Sequence, residues 1–142
     1  MVAVTRGVPV GVDVEGLRPD RDHLVLADHV LSPFERCALR RLPKVDQPAG
    51  FLRYWTRKEA VLKASGDGLA VPLTTLVVSA ADEPPRLLTW TAQPPFDEPV
   101  QLSDLCPGYG YVACVALLTR TPHRVVERDA QPLITWSRSR FL

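Results

Sequence analysis

One stretch of the sequence, residues 55–64, constrains the fold more than any other. It reads WTRKEAVLKA, and the spacing of its apolar residues predicts a helix with one apolar face. The residues on that face are Leu52, Trp55, Glu59 and Leu62. A carboxylate therefore lies in the middle of a face that we expect to be buried. Because burial of an unpaired carboxylate is costly, Glu59 requires a cation or a strong hydrogen-bond donor nearby.

Length and composition favour a single globular domain. The chain has 142 residues, of which 46% are apolar and 23% charged, and its net charge is +1. This balance gives no overall field that would favour nucleic acid or an anionic membrane as a partner. No apolar run reaches the length of a transmembrane helix, and no secretion signal is evident. The three cysteines have neither metal-binding nor paired spacing, so we expect a soluble protein of the reducing cytoplasm.

Residues 8–15 alternate between valine and other residues, which predicts a β-strand. The valines point to one face of this strand, while Gly11, Asp13 and Glu15 point to the other. We expect the valine face to lie in the core and the acidic face to point away from it. The two carboxylates would then leave the same face of the strand, about 7 Å apart along the backbone.

The remaining signals predict an α+β fold, in which a small antiparallel sheet packs against the long central helix and shorter helices. The segment from Ser32 to Glu35 is a capping box and should begin a second helix. The central helix should run from near Pro48 to Ser65. Strand signals follow at residues 73–80, 86–91 and 109–118. We therefore expect one domain over residues 1–118 and a loosely packed tail over residues 119–142.

Asp13, Glu15 and Glu59 would form an acidic cluster if the first strand meets the central helix. Three converging carboxylates must take up protons or hold a cation. Because no His or Cys accompanies them, the donor set favours Mg²⁺, Mn²⁺ or Ca²⁺ over zinc. Lys63 lies one turn beyond Glu59, where its ammonium could extend over a metal-bound phosphate or simply pair with Glu59. A solvated strand edge and a surface Glu–Lys pair are the alternatives for these residues.

Two segments together resemble the paired signature of the 4′-phosphopantetheinyl transferase superfamily. The first, GVDVE, spans residues 11–15 and matches the pattern G-[IV]-D-[IV]-E. The second spans residues 55–69 and matches W-x-x-K-E-x-x-x-K-x-x-G-x-G-L. Glu15 and Trp55 make the chain more similar to the surfactin-type branch than to the short holo-carrier-protein synthases. The resemblance covers roughly residues 1–118 and implies the fold of one half, the C-terminal half, of a surfactin-type enzyme.

The resemblance implies an enzyme that transfers the 4′-phosphopantetheine arm of coenzyme A to a serine of an acyl or peptidyl carrier protein. By their places in the motifs, Asp13, Glu15 and Glu59 would be the Mg²⁺ ligands. Lys58 and Lys63 would bind coenzyme A, with Lys63 at its pyrophosphate, and Glu59 and Lys63 would be the catalytic residues. The pathway served would be fatty acid, polyketide or nonribosomal peptide biosynthesis.

The match to one half of a surfactin-type enzyme leaves several arrangements open. In that branch two similar halves bind coenzyme A between them. The chain could therefore lack an N-terminal half, form a homo-oligomer that builds the cleft from identical copies, or be an inactive relic. The alternative function is a non-catalytic binding or regulatory module that retains the fold without the nucleotide-binding half. A third hypothesis is an unrelated metal-dependent phosphoryl enzyme.

A group of arginines predicts a docking surface for an acidic carrier protein, since complementary charge favours such association. The group comprises Arg36, Arg40, Arg41, Arg53 and Arg57, and solvated helix faces are the alternative for the same residues. Four aromatic residues are expected to pack in the protein rather than to bind a ligand, namely Trp90, Trp136, Tyr109 and Tyr111.

Overall fold

A computed structural model of the protein describes residues 1–18, 23–68, 71–91 and 96–132. The elements in chain order are strand β1 (Val10–Gly16), a 3₁₀ turn (His23–Leu26), helices α1 (Ala27–Val30), α2 (Pro33–Arg41) and α3 (Gln47–Ser65), a second 3₁₀ turn (Leu73–Thr75), and strands β2 (Leu76–Val78), β3 (Leu87–Trp90), β4 (Val100–Leu105) and β5 (Tyr111–Leu118). Helix α3, at 19 residues, is the longest of these elements.

The strands of the described residues form two antiparallel sheets. The larger sheet has the order β1–β5–β4, so β5 is its central strand, and β2 pairs with β3 in the smaller sheet. Helix α3 packs across one face of the larger sheet, mainly against β1 and β5. The predicted α+β fold, with a small antiparallel sheet against a long central helix, is confirmed. Strand β4 is an element that the sequence signals did not predict.

The predicted N-terminal cap of α2 and the predicted C-terminal cap of α3 are both present in the structure. The Ser32 hydroxyl accepts a hydrogen bond from the Glu35 backbone N–H at 3.3 Å, and the Glu35 carboxylate accepts one from the Ser32 N–H at 2.8 Å. This is the predicted capping box. At the end of α3, Gly66 has a φ of +81° and its N–H donates to the Leu62 carbonyl at 3.0 Å. Because an L side chain is strained at such a φ, glycine is suited to close this helix.

Gly11 allows β1 and α3 to approach one another very closely. A Cβ atom at this position would lie within 3.0 Å of the Ala60 carbonyl oxygen and of the Ala64 backbone nitrogen, closer than real Cβ atoms come to such neighbours. Ala60 and Ala64 are themselves small and buried. The contact is therefore made by backbone and methyl groups, and it fixes the residues that follow Gly11 against α3.

The buried face of β1 is the opposite of the one predicted. Gly11 and Asp13 are buried against α3, whereas the valines of β1 are only partly buried on the other side. The expectation that the valine face lies in the core was wrong because it ranked the two faces by hydrophobicity alone. The close fit at Gly11 and the pairing of Asp13 with Lys63 compensate for burial of the acidic face.

The side of the larger sheet that faces away from α3 is apolar, and we name it the outer sheet face. Residues directly opposite one another in the register share a face of the sheet, so β5 contributes to it as well as β1. The residues that define it are Val10, Val12, Val14, Val115 and Leu117. The larger sheet therefore presents apolar side chains on both of its faces.

The first part of the predicted tail packs alongside β4 and the residue that follows it. Gln101 donates through Nε2 to the Thr119 carbonyl at 2.6 Å, and the Glu127 carboxylate accepts from the Cys106 N–H at 3.1 Å. The domain boundary at residue 118 stays a prediction, and Trp136 lies outside the described residues. No helix in the described part of the chain is long and apolar enough to cross a membrane.

Candidate active site

Asp13 of β1 and Glu59 of α3 are both buried at the contact between these elements, each with 8% of its surface exposed. The Lys63 ammonium lies 2.6 Å from Asp13 Oδ1 and also donates to the Val12 carbonyl at 3.2 Å. Close packing at Gly11 places Lys63 directly over β1, because a Cβ on Gly11 would lie 2.8 Å from the Lys63 Cβ. The structure therefore groups Asp13, Glu59 and Lys63, with Lys63 paired to Asp13 rather than to Glu59.

Two carboxylate oxygens at this site are buried without a hydrogen-bond partner, Asp13 Oδ2 and Glu59 Oε1. A buried acceptor without a donor is costly, so such atoms indicate a place for a cation or another ligand. Carboxylate oxygens are the donors that Mg²⁺ prefers, and Mg²⁺ usually takes only one or two of them beside water and phosphate oxygens. The residues present therefore fit a Mg²⁺ ion. The site is not a closed cage, because the described residues include no group of three His, Cys, Asp or Glu positioned to hold a metal.

The surroundings of Glu59 raise the pKa of its carboxyl above that of an exposed glutamate. Burial is the largest cause, and the neighbouring Asp13 carboxylate acts in the same direction. The Lys63 ammonium opposes them, and the Glu15 carboxylate makes a further, smaller contribution that raises the pKa. The charged groups that act on Glu59 in the described structure thus amount to one ammonium and two carboxylates. An added divalent cation would relieve this excess of negative charge.

Glu15 lies at the edge of this group. It follows Asp13 on the same face of β1, opposite Val112 of β5, and is partly buried. Glu15 also lines a hollow of about 480 Å³, whose walls include Tyr109 and Tyr111. The two tyrosines were expected to pack in the protein, but both are exposed, so that expectation was wrong. The structure therefore places Glu15 within electrostatic range of Glu59 and beside open space.

Lys58 is turned away from this group, although it precedes Glu59 in sequence. Its ammonium is fully buried and lies 2.7 Å from Glu35 Oε2, and it also donates to the carbonyls of Val30 and Leu73. Burial lowers the pKa of Lys58, and the Glu35 carboxylate opposes that shift. The place of Lys58 in the motif predicts a contact with coenzyme A, whereas all its described contacts in this structure are internal.

Glu35, the partner of Lys58, has a structural role that the sequence did not reveal. Its Oε1 accepts from the Val78 N–H at 2.9 Å, while its Oε2 serves both the capping box and Lys58. One carboxylate thus joins α2, α3 and β2. The only sequence signal was the capping box, which accounts for one of these three contacts.

Arg57 contradicts the predicted docking surface, since its side chain is completely buried. The guanidinium makes two hydrogen bonds to the Asp104 carboxylate, at 3.1 and 2.7 Å. It also donates to the carbonyls of Ser79, Ala80 and Glu83. The assignment of Arg57 to a basic surface was therefore wrong. Its partner Asp104 escaped notice because β4 was not predicted.

The chain is similar to known phosphopantetheinyl transferases in sequence. Residues 9–116 match the family model described as the 4′-phosphopantetheinyl transferase superfamily. The 4′-phosphopantetheinyl transferase HetI of Nostoc sp. is 38% identical over 117 residues, which cover 82% of this chain and 46% of HetI. The 4′-phosphopantetheinyl transferase psf-1 of Bacillus pumilus is 29% identical over 124 residues, which cover 86% of this chain and 49% of psf-1. The chain thus spans about half the length of these curated relatives.

Solved structures of holo-carrier-protein synthases share the fold. The holo-(acyl-carrier-protein) synthase of Bacillus anthracis, solved in complex with CoA (3′,5′-ADP), matches 80% of this chain and 98% of its own, with a TM-score of 0.64 and 22% identity. The Thermotoga maritima holo-[acyl-carrier-protein] synthase matches 90% of this chain and 74% of its own, with a TM-score of 0.56 and 21% identity. At these identities the similarity concerns the fold alone.

Proposed function

Because the chain belongs to the 4′-phosphopantetheinyl transferase superfamily, we propose that it carries the metal-binding part of a Mg²⁺-dependent transferase. The reaction moves the 4′-phosphopantetheine arm of coenzyme A to a serine hydroxyl of an acyl or peptidyl carrier protein. Relatives named as 4′-phosphopantetheinyl transferases and a synthase of the same fold in complex with CoA (3′,5′-ADP) support this assignment. The three unpaired cysteines are in keeping with a cytoplasmic location.

The observation that carries the proposal is the pair of buried carboxylate oxygens without partners, Asp13 Oδ2 and Glu59 Oε1. The two come from different elements, and the Asp13 carboxylate is close enough to Glu59 to raise the pKa of Glu59. Buried acceptors of this kind are usually satisfied by an ordered water or an ion, and two of them on neighbouring carboxylates favour a cation. We propose that these two carboxylates bind Mg²⁺ and that the Glu15 carboxylate, which does not form a three-membered metal group with them in the described structure, joins as the third ligand when the metal is bound.

When bound, Mg²⁺ neutralises negative charge that develops on a pyrophosphate during transfer. The chain's own residues hold and orient the reactants. Lys63, whose side chain is 48% exposed, can turn outward and donate from its ammonium to a pyrophosphate oxygen. The Glu59 carboxylate, through the oxygen that does not bind the metal, is the proposed acceptor of the proton from the carrier-protein serine, directly or through water.

We propose that a second copy of this chain or an N-terminal half completes the protein, since the chain spans about half the length of the curated relatives. On the outer sheet face the three valines of β1 are partly buried, whereas Val115 and Leu117 beside them are buried within the chain itself.

Transfer to an apo carrier protein is the experiment that tests this function. The purified chain is incubated with coenzyme A, Mg²⁺ and an apo acyl or peptidyl carrier protein, and intact-mass spectrometry detects the added arm. We expect Mg²⁺-dependent modification of the serine by the wild type and none by Glu59→Gln. Glu83→Gln is the matched control, because the Glu83 side chain is 54% exposed on the surface.

No modification by the folded wild type at high enzyme concentration would refute catalysis by this chain. It would favour the non-catalytic binding module instead. Modification that is equally fast in Glu59→Gln would show that another group performs the chemistry assigned to Glu59.

A further inference from the structure

We propose that Lys63 is the resident counter-ion of the carboxylates in the metal-free protein and that a divalent cation displaces it from Asp13. The displaced ammonium then becomes available to a phosphate group. This inference rests on the proposed function and describes how its site changes between two states. It makes metal binding and anion binding depend on one another.

The Lys63 ammonium occupies a position among oxygen atoms that a metal ion could also use. Its ammonium lies 2.6 Å from Asp13 Oδ1 and 3.2 Å from the Val12 carbonyl oxygen, two oxygens of one strand. The other Asp13 oxygen has no partner, and neither does Glu59 Oε1. A divalent cation on these two oxygens would share the Asp13 carboxylate with Lys63, which binds its other oxygen, and the two positive charges would repel each other.

The two partners differ in their freedom to move. The Asp13 side chain is 10% exposed, whereas the Lys63 side chain is 48% exposed. Asp13 is fixed by the packing of β1 on α3, but Lys63 can turn toward solvent on its long, flexible side chain. Of the two, Lys63 is therefore the partner that leaves.

Charge provides the reason for displacement. One ammonium acts on three carboxylates, those of Asp13, Glu15 and Glu59, so the group as described carries excess negative charge. A divalent cation neutralises two of these charges, which removes much of the attraction that holds Lys63 inward. The released ammonium and the metal then attract the same anion. Binding of metal and anion should be positively coupled, as linkage requires when each favours the same state.

Mn²⁺ titration of a lysine variant tests the competition. Free Mn²⁺ is measured by electron paramagnetic resonance for the wild type, Lys63→Met and Lys44→Met, with and without inorganic pyrophosphate. Lys44→Met is the matched control, because Lys44 is exposed and its substitution removes the same charge away from the site. Lys63→Met should bind Mn²⁺ alone roughly fivefold or more tightly than the wild type. Pyrophosphate should raise Mn²⁺ affinity less in Lys63→Met than in the wild type.

Equal or weaker Mn²⁺ binding by Lys63→Met, with wild-type binding intact, would overturn the competition but not the metal site. Absence of Mn²⁺ binding by the wild type would overturn the metal site and the competition with it. The two failures are therefore distinguishable in one titration.

A measurement on the wild type alone avoids any folding defect of the variant. The sequence contains only three lysines, Lys44, Lys58 and Lys63, so limited amine acetylation followed by peptide mass spectrometry reports on each. Saturating Mg²⁺ should raise the acetylation rate of Lys63 as it leaves Asp13. Exposed Lys44 should not respond, and buried Lys58 should stay unmodified. An unchanged or lower rate at Lys63 would overturn the proposal.

Discussion

Replacement of Gly11 by alanine should weaken the fold and the candidate site together. The new Cβ would lie within 3.0 Å of the Ala60 carbonyl oxygen and the Ala64 nitrogen, which are backbone atoms of α3 and cannot rotate away. Ordinary contact begins near 3.4 Å. Strand and helix must therefore separate by roughly 1 Å, or α3 must distort locally.

The cost can be estimated from this overlap. Overpacking of a well-packed interior costs about 1–3 kcal/mol. Alanine recovers roughly 0.5–1 kcal/mol of that, because glycine is unfavourable within a strand. A net loss of about 1–2 kcal/mol should lower the melting temperature by roughly 3–8 °C. Asp13 lies on β1 and Glu59 on α3, so the same separation moves the two proposed metal ligands apart, and Mn²⁺ affinity should fall as well.

Urea denaturation followed by circular dichroism measures this loss, and Gly16→Ala is the matched control on the same strand. A Cβ on Gly16 would meet only the Tyr111 ring, at the ordinary distance of 3.6 Å. Gly16→Ala should therefore stay within about 0.5 kcal/mol of the wild type. If Gly11→Ala is as stable as Gly16→Ala and binds Mn²⁺ equally well, the close contact does not shape the site as argued.

Two further predictions concern the buried charges. Lys58→Met should destabilise the protein by about 3–5 kcal/mol, because it leaves the Glu35 carboxylate buried without its cation. The double variant Lys58→Met/Glu35→Gln should be more stable than Lys58→Met. Urea midpoints measure both, with Lys44→Met as the control, and a double variant no more stable than Lys58→Met would contradict the prediction. Glu59→Gln should stabilise the metal-free protein near neutral pH, because burial raises the pKa of Glu59. Because the pKa of Glu59 is raised in the folded protein, its protonated form contributes to stability below pH 4.5, the unfolded pKa, and this contribution is lost as the pH rises. The stability gained by Glu59→Gln should therefore increase above pH 4.5. A difference that stays constant between about pH 4 and about pH 8 would contradict this reasoning.

The sequence predicted the parts of the site that depend on local pattern. Helical spacing placed Glu59 on one face with Leu52, Trp55 and Leu62; Glu59 and the two leucines are buried and Trp55 is partly buried. Most other residues of α3 are buried as well, so the prediction of a single buried face was too narrow. The two-residue repeat put Asp13 and Glu15 on one face of β1, as the register shows. Local geometry alone fixes these relations, because side chains in helices and strands follow fixed periods.

The remainder depends on contacts between distant parts of the chain. Local pattern could not show that a glycine would outweigh three valines in deciding which face of β1 meets α3. It also could not show that Arg57, which belongs to a charged run, is enclosed by Asp104 and backbone carbonyls 22 to 47 residues away. Buried charged residues of this kind are identified by their partners, and the partners become known only from the fold.

Metal binding by the wild type and Glu59→Gln tests the central claim most directly. Free Mn²⁺ is followed by electron paramagnetic resonance as each protein is added, with Glu83→Gln as the exposed control and circular dichroism as the check on folding. We expect saturable Mn²⁺ binding by the wild type and Glu83→Gln and its loss in a folded Glu59→Gln. Equal Mn²⁺ affinity in the wild type and Glu59→Gln would show that Glu59 is not a metal ligand.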